Sequence, residues 1–383
     1  MAYDLTPVFS PDDTQAALHH SLQRWLAEQA PFERRAGLLA SPGAIEPLWH
    51  GLQHDLGLLG AGLPESAGGL GGCPDGGLAD QALILQALGQ ALLPEPYTAV
   101  VVLAGGLLQR LPGAAAAGLL AALAAGQARP VLAALEPGAR HHLGQVQARL
   151  TGQPGALRLS GRKTLVRAAP QATHWLVTAR DVAGHLGLAR VMPDAPGVQR
   201  RDLPLADGSW ASELAFDNTP VAALLSEPGV DLLRALQQAS DDSLLATGAE
   251  AVGVMQRLMR ETLDHLRQRR QFGVPLASFQ VLQHRLADMH MDLIQASALV
   301  GATLLRLPGL GDATARQGAV ASAQVAVARA CRSVGQGAVQ LHGGMGVTDE
   351  LAVGHAFKRL TLIELQGGGV DGQLRRVAAA ASA

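Results

Sequence analysis

Two short stretches in the C-terminal half combine residue types suited to anionic ligands. The first, RRQFGVPLASFQ at 269–280, sets Arg269 and Arg270 before a Phe272-Gly273 pair and closes on Phe279 and Gln280. A guanidinium presents a planar fork of donors that matches pyrophosphate oxygens. A solvated basic helix end within LRQRRQ is the simpler alternative, chiefly for Arg267 and Arg270. The second stretch, QLHGGMGVTDE, begins at Gln340 and carries Leu341, His342, Gly343 and Gly344. Adjacent glycines let a backbone lie against a ligand with no Cβ in the way, although a GGxG loop alone is equally a helix stop. The pair His141–His142 lacks a third ligand at a recognisable spacing, so no metal is expected. GGGVDG at 367–372 formally matches G-x-G-x-x-G after the strand-like LTLIEL. Only eleven residues follow it in the 383-residue sequence, too few for a crossover helix, second strand and ribose-binding acid, so nicotinamide binding is rejected.

The elements that must position these residues change texture twice. From Ser10 to about Arg129 the pattern is helical, with Ser10-Pro11 and two acids resembling an N-cap opening. The loop GLPESAGGLGG breaks these helices, and LADQALILQALGQALL resumes them until Pro94 and Pro96. Between about Pro130 and Gly229 short β-type runs alternate with Gly, Pro and Asp, as in a small sandwich or barrel. From about Asp231 the helical period returns. Leu245, Val252, Met255, Met259, Leu263 and Leu266 form one stripe, and Leu282, Leu286, Met289, Leu293, Ala296 and Val300 another; both are read as bundle core.

With 383 residues, several domains are expected. Hydrophobic content of 48% and charged content of 16% are globular values. A net charge of −2 gives no broad attraction to nucleic acid or an anionic membrane. No stretch reaches the ~20 apolar residues of a membrane span, and the N-terminus does not read as a signal peptide. The two cysteines, Cys73 and Cys331, fit neither a disulfide framework nor a metal cluster. They are expected to be plain buried thiols in a cytoplasmic protein.

RRQFG…FQ and QLHGGMG, in this order, closely resemble the corresponding elements of the acyl-CoA dehydrogenase family. LGLLGAGLPESAGGLGG, the helix ending LGQALLPEPY, and LEPGAR, LRLSGRKTLV, ATHWLVTAR and ELAFDNTPV also follow family order, so the resemblance covers essentially the whole chain. It implies an α+β fold with an N-terminal helical domain (1–128), a middle β-barrel or sandwich domain (129–229) and a C-terminal four-helix bundle (230–383). It also implies a dimer or homo- or hetero-tetramer built as a dimer of dimers. FAD would be gripped by Arg269, Phe272, Phe279, Gln280, Gln340, Leu341, His342, Gly343 and Gly344, partly across a subunit boundary. The implied activity is α,β-dehydrogenation of an acyl-CoA thioester, in which a glutamate removes the α-proton while the β-hydrogen leaves as hydride to the flavin.

The base is where this sequence departs. Counting without gaps from the GGMG loop puts Gly367 at the family's C-terminal glutamate, and glycine cannot take a proton. The family's second location, on the helix before RRQFG, falls on Ser243. Asp242 beside it is the candidate base, with Glu364 as a second; Asp241 and Asp242 otherwise read as a solvated N-terminal helix turn. The T/S-rich flavin-ring loop is replaced by EPGARHHLGQ, with Arg140, His141 and His142, and the W-x-T/S element by LVRAA, with Val166 and Arg167. Three readings follow: an FAD-dependent acyl-CoA dehydrogenase, a subunit of a heteromeric dehydrogenase that lacks the base and supplies half of an FAD site, or a flavin-free scaffold. The base-lacking subunits of bacterial heteromeric acyl-CoA dehydrogenases are what this chain's departures most resemble.

Overall fold

The computed structural model describes residues 6–71, 77–93, 96–153, 155–227 and 229–382. In chain order the helices are α1 (Asp13–Gln29), α2 (Arg35–Leu39), α3 (Glu46–His54), α4 (Leu78–Ala91), α5 (Gly106–Leu108), α6 (Ala114–Ala124), α7 (Leu232–Gln268), α8 (Gln280–Arg306), α9 (Ala313–His342), α10 (Ala352–Leu365) and α11 (Gly369–Ala381). Strands β1 (Pro130–Ala133) to β8 (Ala223–Leu224) lie between α6 and α7, so helices, sheet and helices follow one another as the α+β reading expects. The chain packs as two compact units, one of residues 1–35, 79–93 and 244–383 and one of residues 36–78 and 94–243.

In the first unit, most of the two C-terminal stripes is core, while Leu263, Leu282 and Leu286 are only half-buried. Leu245, Val252, Met255, Met259 and Leu266 of α7 are buried, as are Met289, Leu293, Ala296 and Val300 of α8. The opening helix starts two residues later than Ser10 suggests. Asp12 caps it, accepting from the Gln15 N–H at 2.8 Å while the Gln15 side chain accepts from the Asp12 N–H at 3.1 Å. This reciprocal box satisfies two N-terminal donors at once, which a Ser10 cap does not. Where α4 meets α7, a Cβ on Gly89 would stand 2.3 Å from the Glu250 carbonyl oxygen, and one on Gly253 would stand 2.0 Å from that of Gln86. Only glycine permits this backbone contact, and Gln86 and Gln90 donate to Gln256 Oε1 across it at 3.0 and 2.9 Å.

LTLIEL, strand-like in sequence, is the end of helix α10. Burial of Val353, Ala356, Leu360 and Ile363 follows the helical repeat, so packing overrides the β-branched local composition. Cys331 is buried within α9, and burial, with Glu364 and Glu250 nearby, pushes its thiol well above the ordinary thiol range. Cys73 lies outside the described residues.

In the second unit, β1 to β8, among them β2 (Arg149–Thr151), β5 (Leu186–Val191) and β6 (Val198–Pro204), form one eight-stranded sheet in the order β6-β7-β3-β2-β4-β5-β8, with β1 (Pro130–Ala133) parallel to β4 (His174–Arg180). β3 (Arg158–Arg167) and β7 (Trp210–Pro220) pair antiparallel across two register shifts. The sheet buries one ion pair: Lys163, 1% exposed, donates to Glu136 Oε1 at 2.7 Å and to Thr178 Oγ1 at 2.9 Å. Glu136 also accepts from the N–H groups of Gln147 at 2.7 Å and Ala148 at 3.1 Å. Burial alone raises the Glu136 carboxyl, but the Lys163 hydrogen bond, the two amides and the Lys163 charge outweigh it and hold it below the ordinary range. Removing one partner of such a pair strands a buried charge. Glu136→Ala is therefore expected to lower stability by about 3–5 kcal/mol, with Glu136→Ala/Lys163→Met recovering most of the loss in urea unfolding. A double variant no more stable than the single one would contradict the assignment.

Candidate active site

Arg269 follows the last turn of α7, its N–H donating to the His265 carbonyl at 2.8 Å. A hairpin then forms from β9 (Arg270–Gln271) and β10 (Val274–Pro275). Its two turn residues, Phe272 and Gly273, have φ of 54° and 84°, as a two-residue hairpin turn of type I′ requires. For Phe this left-handed backbone is strained. The side chain is 92% exposed and makes an edge-on contact with Phe279, ring centroids 6.2 Å apart. Gln280 is the exposed first residue of α8. The Arg269 guanidinium is exposed and donates no hydrogen bond among the described residues.

The second motif ends α9. Gly343, at φ 62°, stops the helix, and a short 3-10 segment runs from Gly343 to Val347. A Cβ on Gly343 or Gly344 would meet nothing within 4 Å, whereas one on Gly346 would stand 2.8 Å from the Val339 carbonyl oxygen. The fold itself thus needs glycine at 346 and, for backbone reasons, at 343, but nothing in the chain demands it at 344. Gln340 is exposed, while the side chains of Leu341 and His342 are buried.

The two motifs meet through a residue that sequence reading missed. The His265 ring, one turn before Arg269, stacks on the His342 ring with centroids 4.3 Å apart and planes 26° apart. His342 Nδ1 lies 2.9 Å from the Ala338 carbonyl oxygen, which makes Nδ1 the protonated nitrogen. The i,i+4 spacing of His265 and Arg269 was a local signal that His265 shares the Arg269 end of the helix.

The two carboxylates that were candidates for the base, Asp242 and Glu364, each have a cationic partner. Asp241 and Asp242 are not a solvated first turn, because α7 starts at Leu232 and both side chains are buried. Asp242 accepts from Arg110 Nη2 at 2.5 Å, and Arg110 also donates to the Gly106 carbonyl at 2.6 Å. Glu364 lies in the last turn of α10 and is paired with Arg332. Gly367 follows α10 with φ of 60°, in the left-handed region. A Cβ there would stand 2.4 Å from the Gln373 Nε2 and 3.1 Å from the Leu244 side chain. A side chain at 367 would thus be strained by the left-handed backbone and would have to displace the ends of the Gln373 and Leu244 side chains.

In the sheet unit, the two altered flavin-ring loops are neighbours: the Thr164 N–H donates to the Leu135 carbonyl at 2.9 Å. Each carries a strained non-glycine residue, Arg140 at φ 52° and Leu165 at φ 49°. Arg140, His141, His142 and Leu165 are exposed, and Arg167 is half-buried.

A family model described as the acyl-CoA dehydrogenase C-terminal domain matches residues 234–382. The chain is 32% identical over 336 residues to acyl-CoA dehydrogenase FadE27 of Mycobacterium tuberculosis, covering 86% of each. It is 28% identical over 352 residues to acyl-CoA dehydrogenase IpdE2 of the same organism, covering 91% of this chain and 92% of that one. Its structure matches that of the ChsE4–ChsE5 complex from M. tuberculosis with a TM-score of 0.85, 27% identity and 99% coverage of both chains. Butyryl-CoA dehydrogenase from Megasphaera elsdenii shares the fold at a TM-score of 0.86 and 22% identity, covering 98% of this chain and all of that one. The chain belongs to the acyl-CoA dehydrogenase family, flavoprotein oxidoreductases that act on CH–CH bonds. Among the described residues no helix is long and apolar enough to cross a membrane.

Burial, then His342 and Arg269, hold the His265 imidazole below its ordinary 6.5. With the folded value depressed, the neutral ring is the folded form; its contribution is intact above 6.5 and is lost as pH falls through the folded value. The thermal midpoint is expected to fall more steeply on acidification in the native chain than in His265→Phe, which keeps a stacked ring without the proton. Equal slopes in a pH series of thermal melts would remove His265 from this role.

Proposed function

We propose that this chain binds FAD and takes part in the α,β-dehydrogenation of an acyl-CoA thioester. The observation that carries the reading is the convergence of Arg269 and Gly343–Gly344 at the His265–His342 stack, which sets an unpaired guanidinium fork and an uncovered glycine backbone at one place. These fit a dinucleotide's pyrophosphate and adenosine. Phe272, Phe279, Gln280 and Gln340 complete the grip, with Leu341 and His342 contributing backbone. When bound, FAD supplies the acceptor for the hydrogen that leaves Cβ. The chain's share of the work is to hold that group, orient the thioester and, in the first reading, take the α-proton on Asp242.

Arg269, Phe272, Gln280 and Gln340 are exposed, which favours FAD shared between subunits in a dimer or dimer of dimers. Val281, Met291, Ile294 and Leu299 of α8, the helix that follows the hairpin carrying Phe272, expose apolar surface, which suits a subunit contact. The expected division into domains 1–128, 129–229 and 230–383 and a cytoplasmic location belong to the same proposal.

A second reading is favoured by the closed space at Gly367 and by the ion pairs that engage Asp242 and Glu364. In it the chain is a base-lacking subunit of a heteromer, and a partner's carboxylate removes the α-proton. Asp242 acting as base would first have to release Arg110 from its Oδ2. General-base assistance is commonly worth ~10²–10⁴-fold, so the readings separate on one assay. Reduction of bound flavin by a panel of acyl-CoAs is measured for the chain alone and with a base-bearing homologous subunit. Loss of reduction in Asp242→Ala by ~10²-fold or more supports the first reading. Reduction only with the partner, indifferent to Asp242→Ala, supports the second. Robust reduction by the chain alone, indifferent to both Asp242 and Glu364, contradicts both.

A further inference from the structure

Two imidazoles one turn apart on α3 lie against each other at the surface. His50 and His54 are both exposed, and their ring centroids stand 3.9 Å apart with planes tilted by 32°. Neither ring hydrogen-bonds or pairs with a charged group among the described residues. The spacing sets this arrangement, because residues four apart on a helix are neighbours and adjacent ones are not. The adjacent histidines of α1, His19 and His20, keep their centroids 6.4 Å apart. The backbone beneath the α3 pair is fixed: Leu48, Trp49 and Leu52 are buried, and the Gln53 Nε2 donates to the Ala124 carbonyl at 3.2 Å. Glu46, one turn before His50, is already paired with Arg129 Nη1 at 2.6 Å.

A neutral imidazole nitrogen is the commonest protein ligand for transition metals. Two such nitrogens bound to one ion at about 2.0–2.1 Å, at the angles of a tetrahedral or square-planar centre, stand about 3 Å apart. Rings whose centroids are 3.9 Å apart reach that bite by small side-chain rotations. Because one helix carries both donors, the second bond forms at high effective concentration and the pair acts as a chelate. Histidines at i and i+4 supply two ligands of the H-E-x-x-H zinc sites by the same geometry. We propose that His50 and His54 form a binding site for a divalent transition-metal ion of the class Cu2+, Ni2+ and Zn2+. No third His, Cys, Asp or Glu among the described residues joins them in a metal-holding group, so water fills the remaining positions. A closed structural zinc site takes four protein ligands, whereas two imidazoles with water suit Cu2+ and Ni2+ in square-planar or tetragonal geometry. The expected order of affinity is Cu2+ above Ni2+ and Zn2+. The inference stands on α3 alone and does not rest on the dehydrogenase reading.

The test uses tag-free protein as purified, with its flavin and any co-purifying subunit, after dialysis against EDTA and then chelator-free buffer. Cu2+, Ni2+ and Zn2+ are each titrated calorimetrically into the native chain, His50→Gln and His54→Gln, and electron paramagnetic resonance is recorded on the Cu2+ form. The native chain is expected to bind Cu2+ most tightly, with nitrogen couplings from two imidazoles. Each substitution is expected to cost about tenfold or more in affinity, because the chelate is reduced to a single ligand. Both side chains are exposed, so the metal-free thermal midpoints of the variants are expected to match the native one. That comparison separates loss of a ligand from loss of the fold, and the nitrogen count in the native spectrum decides independently of either variant. Affinities unchanged by both substitutions, coupling from a single nitrogen, or no binding of any of the three ions by the native chain at millimolar concentration would overturn the assignment.

Discussion

A buried two-pronged ion pair joins α7 and α10, the helices that lead to Arg269 and to the Gly367 turn. Arg359 of α10 reaches Glu250 of α7 through Nε–Oε1 and Nη2–Oε2 contacts of 2.6 Å each, with both side chains largely withdrawn from water. Parallel donors onto a carboxylate fix orientation as well as distance. Removal of either partner would strand the other's charge in the interior, so the pair locks α7 and α10 in one register. The consequences lie at the helix ends. α7 runs on to His265 and Arg269, and α10 runs on to Glu364, Gln366 and the Gly367 turn. Arg269 and the Gly367 turn are thus carried on helices joined by this charged clamp, backed by the buried stripe of Leu245, Val252, Met255 and Met259.

Much of this was legible in local sequence. The helical stripes announced which faces of α7 and α8 are buried because burial repeats with the turn of the helix. The Phe272-Gly273 turn and the glycine stop at Gly343 were legible because few residues other than glycine tolerate left-handed backbone. What failed or stayed hidden depends on contacts distant in the chain. LTLIEL reads as strand until its burial against α9 is known. Asp241 and Asp242 read as a solvated turn even though the helical period is legible from about Asp231; what nothing local reveals is that both are buried and that Arg110 pairs with Asp242. Gln373 gave no signal at all, since its role comes from reaching back to fill the space beside Gly367.

The fold and the site therefore tell different parts of one account. Family membership is carried by most of the chain, whereas two of the sequence's departures from the family pattern share one backbone feature: the glycine turn at 367–369, and the pair of loops holding Arg140 and Leu165. Both are places where the backbone is held in left-handed conformations. Such strain persists where surrounding structure over-determines it, and it concentrates at sites with a ligand to serve. The turn at Gly367 is packed, with Leu244 and Gln373 against it.

The claim on which the rest depends is that Arg269 grips FAD. The direct measurement is FAD content and dissociation constant, by absorbance and fluorescence, for the native chain, Arg269→Ala and Arg269→Lys. The account predicts that alanine weakens retention by about 1.5–3 kcal/mol, the scale of a charge-assisted hydrogen bond, and that lysine restores only part, because a point charge lacks the guanidinium fork. Unchanged flavin content and affinity in both variants would contradict it.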